Sequence, residues 1–367
     1  MSTPPFPLIR MQGPAHDRGR QYGSQARKLI HQVIDFYRGM FQTKSNLDWD
    51  ASLAKAREFI PFMQAYDAEI MEEMEGIARG AERSLEEILA LNVRSELLFL
   101  LTAQGDPAPP GCTSLAVRPG PAGAGPMLLA QNWDWYPAVR DLCVMLQIQP
   151  QGRPDIIQVV EAGLIAKTGF NSAGIGLCTN ALVSAGWRVG VPFHAILRRI
   201  LSAATMAEAI GAVTQPPRAS SGSYLIGHAE GEAICIEAAP RALNYIFPAQ
   251  GIITHSNHYK VYHPQINDLV PSLWPDSIMR DHRAAKMLAA GPRPIGVRRI
   301  KQVLRDHFDR PYSICAHPDA AHPLEERCHT NFSIIMDLTA QTLYLAPGPP
   351  CAREYVRIDC PGMQVVP

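Results

Sequence analysis

The sequence predicts an α+β fold, in which a helical amino-terminal region precedes a long series of short antiparallel strands with helices between them. Three observations lead to this class. Apolar residues make up 47% of the 367 residues and charged residues 19%, which is enough apolar material for a sizeable core. The first hundred residues show the spacing of one-sided helices. After them come short apolar or alternating runs, separated by glycine, proline and polar turns. This order is typical of layered α+β proteins rather than of a regular βαβ winding.

Three helical regions are predicted before residue 100. Within 21–41, apolar side chains recur every three or four residues, as on one face of a helix. A second region covers about 52–81. A third begins at Ser84, because Ser84 and Glu87 have the spacing of a capping box. We therefore expect the amino-terminal third of the chain to be helical.

The segment 102–111 is rich in residues that interrupt regular structure, and the sequence becomes strand-like after it. Strands are predicted at 112–117, 127–135, 142–149, 155–162, 174–182, 223–229, 233–239, 245–249 and 251–257. Helices are predicted at 192–204, 206–213, 277–290 and 295–308. The runs 331–338 and 341–347 predict a last hairpin.

Composition and charge argue against several classes of function. The 34 basic residues balance the 34 acidic ones, so the chain lacks the charge of a nucleic-acid-binding protein. No apolar run is long enough for a transmembrane helix, and prolines interrupt the first residues where a signal peptide would be apolar. We therefore expect a cytoplasmic protein with neither nucleic-acid nor membrane partners.

The cysteine pattern and the glycine pattern bear on cofactors. The eight cysteines are scattered and contain no C-x-x-C pair, which argues against a disulfide framework and a structural zinc site. Neither of the glycine-rich nucleotide-binding motifs occurs. His255 and His258 form an H-x-x-H pair, but they follow a predicted strand and no third ligand is indicated. We expect no cofactor and no metal site, and we interpret the two histidines as residues that support the neighbouring Asn257 or pack at the rim of the site.

Cys112 begins the first predicted hairpin. Its strands are joined by the Gly-, Ala- and Pro-rich loop 118–126, and a turn centred near residue 122 or 123 makes paired residue numbers sum to 244–246. Cys112 then lies opposite the segment 132–134, which places the amide of Asn132 and the carboxylate of Asp134 beside the thiol. A shift of one residue would change which of the two faces it.

A cysteine thiol needs a base to attack an amide, because its free pKa near 8.5 leaves little thiolate at neutral pH. A histidine supplies the base in papain-like enzymes, but their C-G-x-C-W pattern is absent here. The cysteine's own α-amino group, with a pKa near 7.7–8.0, is the other solution. That amine exists only after the Gly111–Cys112 bond is cut. Gly111 has no Cβ to obstruct the attack, and Pro109 and Pro110 keep this segment out of regular structure.

Several motifs occur in a specific order along nearly the whole chain. They are G-R-Q-Y-G (19–23), N-V-R-S-E-L (92–97), G-C-T-S-L-A-V (111–117), A-Q-N-W-D-W (130–135), G-F-N-S-A-G-I-G-L-C-T-N (169–180), G-V-P-F-H (190–194), T-H-S-N-H-Y (254–259), D-H-F-D-R-P-Y-S-I-C (306–315) and S-I-I-M-D with L-Y-L-A-P-G-P-P (333–350). This series resembles the acyl-coenzyme A:6-aminopenicillanate acyltransferase family, a group of self-processing N-terminal-nucleophile hydrolases. The resemblance implies a four-layer αββα sandwich.

The resemblance also implies roles for single residues. Cys112 matches the nucleophile, which is exposed when the precursor cleaves itself between Gly111 and Cys112. Asp134 matches the carboxylate that orients the new amino terminus, and Asn257 matches the amide that donates to the oxyanion. Asn180 resembles a second polar contributor. Further candidate contacts to the substrate or the oxyanion are Trp133, Trp135 and His255. Ala316 departs from the pattern, because many relatives are expected to have an arginine there.

The expected product of processing is a helical amino-terminal fragment, 1–111, and a nucleophile-bearing αββα fragment, 112–367, which together form one globular unit. The expected activity is that of an amide hydrolase or acyltransferase. It would cleave or transfer the acyl group of a small N-acyl amine or amino acid through a Cys112 thioester, with an acyl thioester as a further candidate donor. A higher oligomer stays open. So do two alternatives, a papain-like thiol hydrolase that uses a histidine such as His255 without chain cleavage, and a non-catalytic protein of this fold.

Overall fold

The structure is a computed structural model that describes residues 4–99, 111–120, 124–323 and 327–360. The strands are β1 Leu8–Gly13, β2 Thr113–Val117, β3 Leu128–Trp135, β4 Cys143–Pro150, β5 Ile156–Glu161, β6 Thr168–Asn171, β7 Ile175–Ala181, β8 Gly222–His228, β9 Glu232–Ala238, β10 Leu243–Ile246, β11 Ile252–His255, β12 His329–Asp337, β13 Thr342–Ala346 and β14 Val356–Asp359. The α-helices are α1 Ala15–Ser45, α2 Trp49–Arg57, α3 Ile60–Tyr66, α4 Ala68–Ala81, α5 Leu85–Asn92, α6 Arg94–Phe99, α7 Phe193–Leu201, α8 Met206–Thr214, α9 Val270–Leu273, α10 Asp276–Ala289 and α11 Val297–Leu304. Among these described helices, none is both long enough and apolar enough to cross a membrane.

The described strands form two sheets. One has eight strands in the order β1-β4-β5-β6-β7-β8-β9-β10, and the other has six in the order β11-β2-β3-β12-β13-β14. Neighbouring strands are antiparallel except β1 and β4, which are parallel. The predominance of antiparallel pairs agrees with the α+β prediction.

The two sheets pack face to face, and helices cover their outer faces. Gly176 on β7 marks the close approach of the sheets, because a Cβ there would lie 2.6 Å from a methyl carbon of Leu338 and 2.9 Å from one of Leu129. Helices α1, α7 and α8 contact the outer face of the eight-stranded sheet. A separate apolar cluster fills the space between the six-stranded sheet and helices α10 and α11, and it includes Leu115, Leu128, Leu288 and Ile300. The chain is therefore a four-layer αββα sandwich, as the resemblance implies.

Several local predictions are confirmed. The Ser84 side chain accepts from the backbone N–H of Glu87 at 3.2 Å, and the Glu87 carboxylate accepts from the backbone N–H of Ser84 at 3.0 Å, which completes the capping box of α5. Strands β12 and β13 form the predicted last hairpin. Strands β2 and β3 form the predicted first one.

Other predictions need correction. The helical region predicted for 52–81 is divided into α2, α3 and α4, because Asp67 adopts an extended conformation and caps α4 through a hydrogen bond from the Glu69 N–H. The amino-terminal segment is not purely helical, since β1 precedes α1. This strand pairs with β4, more than 130 residues later, and such a distant partner leaves no local signal. Pro109 and Pro110 lie outside the described residues.

Candidate active site

Cys112 lies at the beginning of β2, where the first hairpin determines its neighbours. Thr113 pairs with Asn132, which places Cys112 opposite Trp133, within the predicted range of registers. Because opposite residues of an antiparallel pair share a face, Cys112 and Trp133 face the eight-stranded sheet, whereas Asn132 faces the outer helices. The Asn132 amide accordingly donates to the last carbonyl of α11 at 2.9 Å.

Cys112 borders a small buried cavity of about 40 Å³, which has room for only a few water molecules. Its wall includes the predicted residues Gly111, Trp133, Asp134, Trp135 and Asn257. Residues that the sequence analysis did not single out complete it, namely Arg94, Ser95, Lys167, Thr179, Ala181, Phe193, His194 and Trp274. The structure therefore brings together most of the predicted site.

Polar side chains hold the backbone on both sides of the Gly111–Cys112 bond. The carbonyl oxygen of Cys112 accepts from Asn180 Nδ2 and from Arg280 Nη1, each at 2.9 Å. On the other side, a Cβ added to Gly111 would lie only 2.5 Å from Nδ2 of Asn257. Glycine at 111 is thus what allows the Asn257 amide to lie directly against the bond.

Arg280 is a site residue that the sequence analysis missed. Its Nη2 donates to Oδ1 of Asn257 at 3.1 Å, and its Nε donates to Asp276 at 2.9 Å. Since a guanidinium only donates hydrogen bonds, it fixes which end of the Asn257 amide is the oxygen and turns Nδ2 toward Gly111. The sequence could have pointed to Arg280, because this arginine and Ser277 lie on the buried face of α10, where a charged residue is unusual. A basic residue therefore lies at Cys112, although Ala316 stands where relatives were expected to have one.

The ionisation of Cys112 and Asp134 is set mainly by burial. Burial raises the pKa of the Cys112 thiol to about 11, and the Asp134 charge adds to the rise. Burial also raises the pKa of the Asp134 carboxyl to about 7, although the charge of Arg280 and the hydrogen bond from Thr330 oppose it. In this uncleaved chain the thiol is therefore protonated at neutral pH and needs a base.

A charged cluster supports one wall of the cavity. Arg94 Nη2 and Lys167 Nζ donate to the same oxygen of Glu161, at 2.6 and 3.2 Å, and Tyr37 donates to the other oxygen. Lys167 Nζ also lies 3.8 Å from the centre of the Trp133 ring. Burial opposes ionisation of Glu161, but the two cations outweigh it and lower its pKa to about 2. Two cations donate to one carboxylate in this cluster, and the buried Glu96 also acts electrostatically on Arg94.

Four of the residues that line the cavity each have a buried polar atom with no hydrogen-bond partner in the described part of the chain. The atoms are Arg94 Nε, Asp134 Oδ2, His194 Nε2 and Trp274 Nε1. Buried polar atoms are nearly always paired, and an unpaired one costs about 1–3 kcal/mol. Two donors, one acceptor and one ring nitrogen thus have no partner within the described part of the protein.

His255 is not among the residues that line the cavity, so its position lends no support to a substrate or oxyanion contact, which stays a prediction. Its ring is buried, and its two nitrogens lie 3.0 Å from Glu237 Oε1 and 2.7 Å from the Ser256 carbonyl oxygen. Both nitrogens are therefore occupied by the protein itself. His258 contacts Ser277 Oγ at 2.9 Å, and that oxygen also accepts from the Asn257 N–H at 2.8 Å. The second histidine thus supports Asn257, as expected.

The sequence of the chain is similar to that of a known acyltransferase family. The family model described as acyl-coenzyme A:6-aminopenicillanic acid acyl-transferase matches residues 121–350. The 40 kDa form of acyl-coenzyme A:6-aminopenicillanic-acid-acyltransferase from Emericella nidulans is 33% identical over 348 residues, which cover 93% of this chain and 92% of that relative. Among solved structures, a conjugated bile acid hydrolase variant from Clostridium perfringens matches with 12% identity and a TM-score of 0.49 over 70% of this chain and 94% of that one. A penicillin V acylase from Agrobacterium tumefaciens matches with 12% identity and a TM-score of 0.45, over 68% of this chain and 86% of that one.

Proposed function

The chain belongs to the acyl-coenzyme A:6-aminopenicillanic acid acyl-transferase family, and from this premise we propose that it is a self-processing enzyme with a cysteine as its N-terminal nucleophile. Membership makes it an amidohydrolase or acyltransferase. The proposed enzyme cuts its own Gly111–Cys112 bond and then cleaves or transfers the acyl group of a small N-acyl amine or amino acid. The observation that carries the proposal is the contact of the Asn257 amide with Gly111, directly beside the Cys112 thiol.

In the precursor, the Cys112 nitrogen is part of an amide and cannot act as a base. Asp134 is the candidate base, because its Oδ2 has no partner among the described residues and its pKa of about 7 suits proton transfer near neutrality. The sulfur attacks the Gly111 carbonyl carbon, the C–N bond breaks, and the nitrogen takes up the proton. Water then hydrolyses the thioester. The products are a carboxylate on Gly111 and a free amine and thiol on Cys112.

In the mature enzyme the new amine is the base for its own thiol, and Asp134 Oδ2 is free to accept a hydrogen bond from it. The thiolate attacks the acyl carbon of the substrate. Asn257 Nδ2 and a backbone N–H stabilise the oxyanion, and each good donor contributes about 3–4 kcal/mol. The Cys112 thioester is then released to water in hydrolysis or to an amine in transfer.

The wall of the cavity supports a substrate whose amine part carries an acidic group. Arg94 and Lys167 line the cavity and both donate to Glu161, and Arg94 Nε has no partner among the described residues, so an anionic group is attracted to this wall. Trp133 and Trp135 offer apolar surface for an acyl chain. A carboxylate-bearing amine, as in an N-acyl amino acid or the 6-aminopenicillanic acid named for the relative, satisfies both. An acyl thioester is the corresponding donor in transfer.

The test is the covalent state of the purified chain and of the variant Cys112→Ala. Self-processing gives two fragments of about 12 and 28 kDa, in proportion to 40.3 kDa for the whole chain, and the larger one begins at Cys112. Cys112→Ala is expected to remain one chain without amidase activity. Cys235→Ala, which removes another buried thiol, is the matched control and is expected to process normally.

Two results would count against the proposal. A single 40.3 kDa chain that hydrolyses amides would exclude self-processing and favour a papain-like reaction. Activity in Cys112→Ala would exclude this nucleophile altogether. Incubation with a panel of N-acyl amino compounds, followed by measurement of the intact mass, identifies the acyl group through the mass that it adds to the larger fragment.

A further inference from the structure

Four side chains outside the active site converge on one point. They are His307, which follows α11, Cys315 and His317, which precede β12, and Cys351, which follows β13. One ligand atom from each, a ring nitrogen or a sulfur, lies within 4.8 Å of all the others. The four come from three separate segments of the chain, so their convergence is a product of the fold.

Hydrogen bonding does not account for this arrangement. His317 Nε2 lies 3.1 Å from His307 Nε2, 3.6 Å from Cys315 Sγ and 3.4 Å from Cys351 Sγ. A ring nitrogen has either one N–H or one lone pair, so it cannot bond well to three neighbours at once. A cation between the four atoms would satisfy all of them together.

The distances fit a tetrahedral metal ion. Zinc binds cysteine sulfur at about 2.3 Å and histidine nitrogen at about 2.0–2.1 Å, so donor atoms on a tetrahedron around it are about 3.3–3.8 Å apart. The separations of 3.1, 3.4 and 3.6 Å from His317 Nε2 to the other three donor atoms lie near this range, and all four atoms lie within 4.8 Å of one another. Two sulfur and two nitrogen donors in a tetrahedron favour zinc over harder ions such as magnesium or calcium.

We propose that His307, Cys315, His317 and Cys351 form a structural zinc site. Two thiolates and two neutral imidazoles balance the charge of Zn²⁺, which suits a site whose Cys315 is buried. Four protein ligands close the coordination sphere, so the ion stabilises structure and does not act on substrate.

The site connects to the active site through one residue. Ala316, between the two ligands Cys315 and His317, donates its N–H to Thr330 Oγ1 at 3.1 Å. The same hydroxyl donates to Asp134 Oδ1 at 2.6 Å. Zinc would therefore fix the segment that positions the Asp134 carboxylate, and its ligands are positioning residues rather than catalytic ones.

The experiment measures zinc in the full chain, purified from medium supplemented with Zn²⁺. We expect one zinc ion per chain, and on replacement by Co²⁺ a spectrum with tetrahedral ligand-field bands and sulfur-to-cobalt charge transfer. Cys351→Ser and His307→Ala remove exposed ligands and should therefore fold, and each is expected to weaken zinc binding by at least about tenfold. Cys360→Ser and Cys112→Ala are the controls, and both are expected to keep the metal.

Thermal unfolding provides a second readout. A chelator is expected to lower the melting temperature of the wild-type chain but not that of Cys351→Ser, because only the former has an ion to lose. Zinc far below one equivalent, a cobalt spectrum without sulfur bands, or a Cys315–Cys351 disulfide in the protein as purified would each overturn the proposal. The outcome is independent of self-processing, since Cys112→Ala has no nucleophile for processing and should still bind zinc.

Discussion

Two buried carboxylates belong to the same region, and their surroundings differ completely: Asp134 lines the cavity, whereas Glu161 pairs with Arg94 and Lys167, which line it. Glu161 receives hydrogen bonds from Arg94, Lys167 and Tyr37, and its pKa is lowered to about 2. Asp134 receives one hydrogen bond from a side chain, that of Thr330. Its second oxygen is unpaired among the described residues, and its pKa is raised to about 7.

The difference separates structural from chemical use of the same functional group. A carboxylate that is fully paired with cations stays ionised and holds its neighbours in place. A carboxylate that is buried without full pairing is unstable as an anion, so it exchanges its proton near neutral pH. Burial destabilises the Asp134 anion, and the resulting rise in its pKa allows the group to act as a base near neutral pH. Four changes test this contrast, in order of expected effect.

The largest effect is expected from Asp134→Asn. A positioned acid–base group contributes about 10²–10⁴ to a rate, so self-cleavage and amidase activity should fall by at least about a hundredfold. Folding should be preserved, because the amide occupies the same volume and buries no charge. The measurements are the rate at which the 112–367 fragment appears and the melting temperature. Normal processing in Asp134→Asn, or a large loss of its stability, would mean that Asp134 does not differ from Glu161 in the way proposed.

Glu161→Gln is expected to lower the stability of the chain, whereas Asp134→Asn is expected to lower the reaction rate. Glu161→Gln leaves two buried cations with no counter-ion, and breaking a buried pair costs about 3–5 kcal/mol in the free energy of unfolding. Denaturant unfolding of the uncleaved Cys112→Ala chain measures this. The control is Glu86→Gln, which breaks a surface pair with Arg57 and should cost less than about 1 kcal/mol. Equal effects of the two substitutions would show that Glu161 is not the anchor of this wall.

The two carboxylates should give opposite pH dependences of stability. The pKa of folded Asp134 is raised, so the folded chain holds a proton that the unfolded chain releases, and stability falls as pH rises from about 4 to 7. The pKa of folded Glu161 is lowered, so its contribution is present above about pH 4.5 and is lost as pH falls toward 2.

Unfolding of Cys112→Ala chains between pH 3 and 8 separates these effects. Adding Asp134→Asn should raise the free energy of unfolding at pH 8, on the order of a few kcal/mol, and should change it little at pH 4. Adding Glu161→Gln should cost less at pH 3 than at pH 7. Parallel pH profiles for the two substitutions would contradict the assigned pKa directions.

The smallest effect is expected from Arg280→Lys, which keeps the positive charge but removes the planar guanidinium group with its several N–H donors. Only the guanidinium group reaches both the Cys112 carbonyl and Asn257 Oδ1, so processing should slow by about tenfold while stability changes little. Arg283→Lys, on the same helix and paired with Asp306 near the surface, is the matched control. A comparable slowing in both variants would mean that the orientation of Asn257 does not depend on Arg280.

Much of the site could be predicted because it is local in sequence. The turn-rich loop 118–126 and the period of two in its strands place Cys112 opposite the segment 132–134, and β2 and β3 pair in that register. Motif order added Asn257 and Asn180, and both contact the Gly111–Cys112 segment. These features depend on strand alternation and on short spacings, and both can be read from the amino-acid sequence.

Contacts between distant segments could not be read in this way. His255 is only two residues from Asn257 in the sequence, but its ring pairs with Glu237 and does not line the cavity. Arg280 reaches Cys112 across more than 160 residues, and His307 meets Cys351 across more than 40. The local spacing of residues does not indicate such long-range contacts. They arise when helices and loops pack on the sheets, and the same packing decides whether a buried carboxylate finds two cations or is left with an unpaired oxygen.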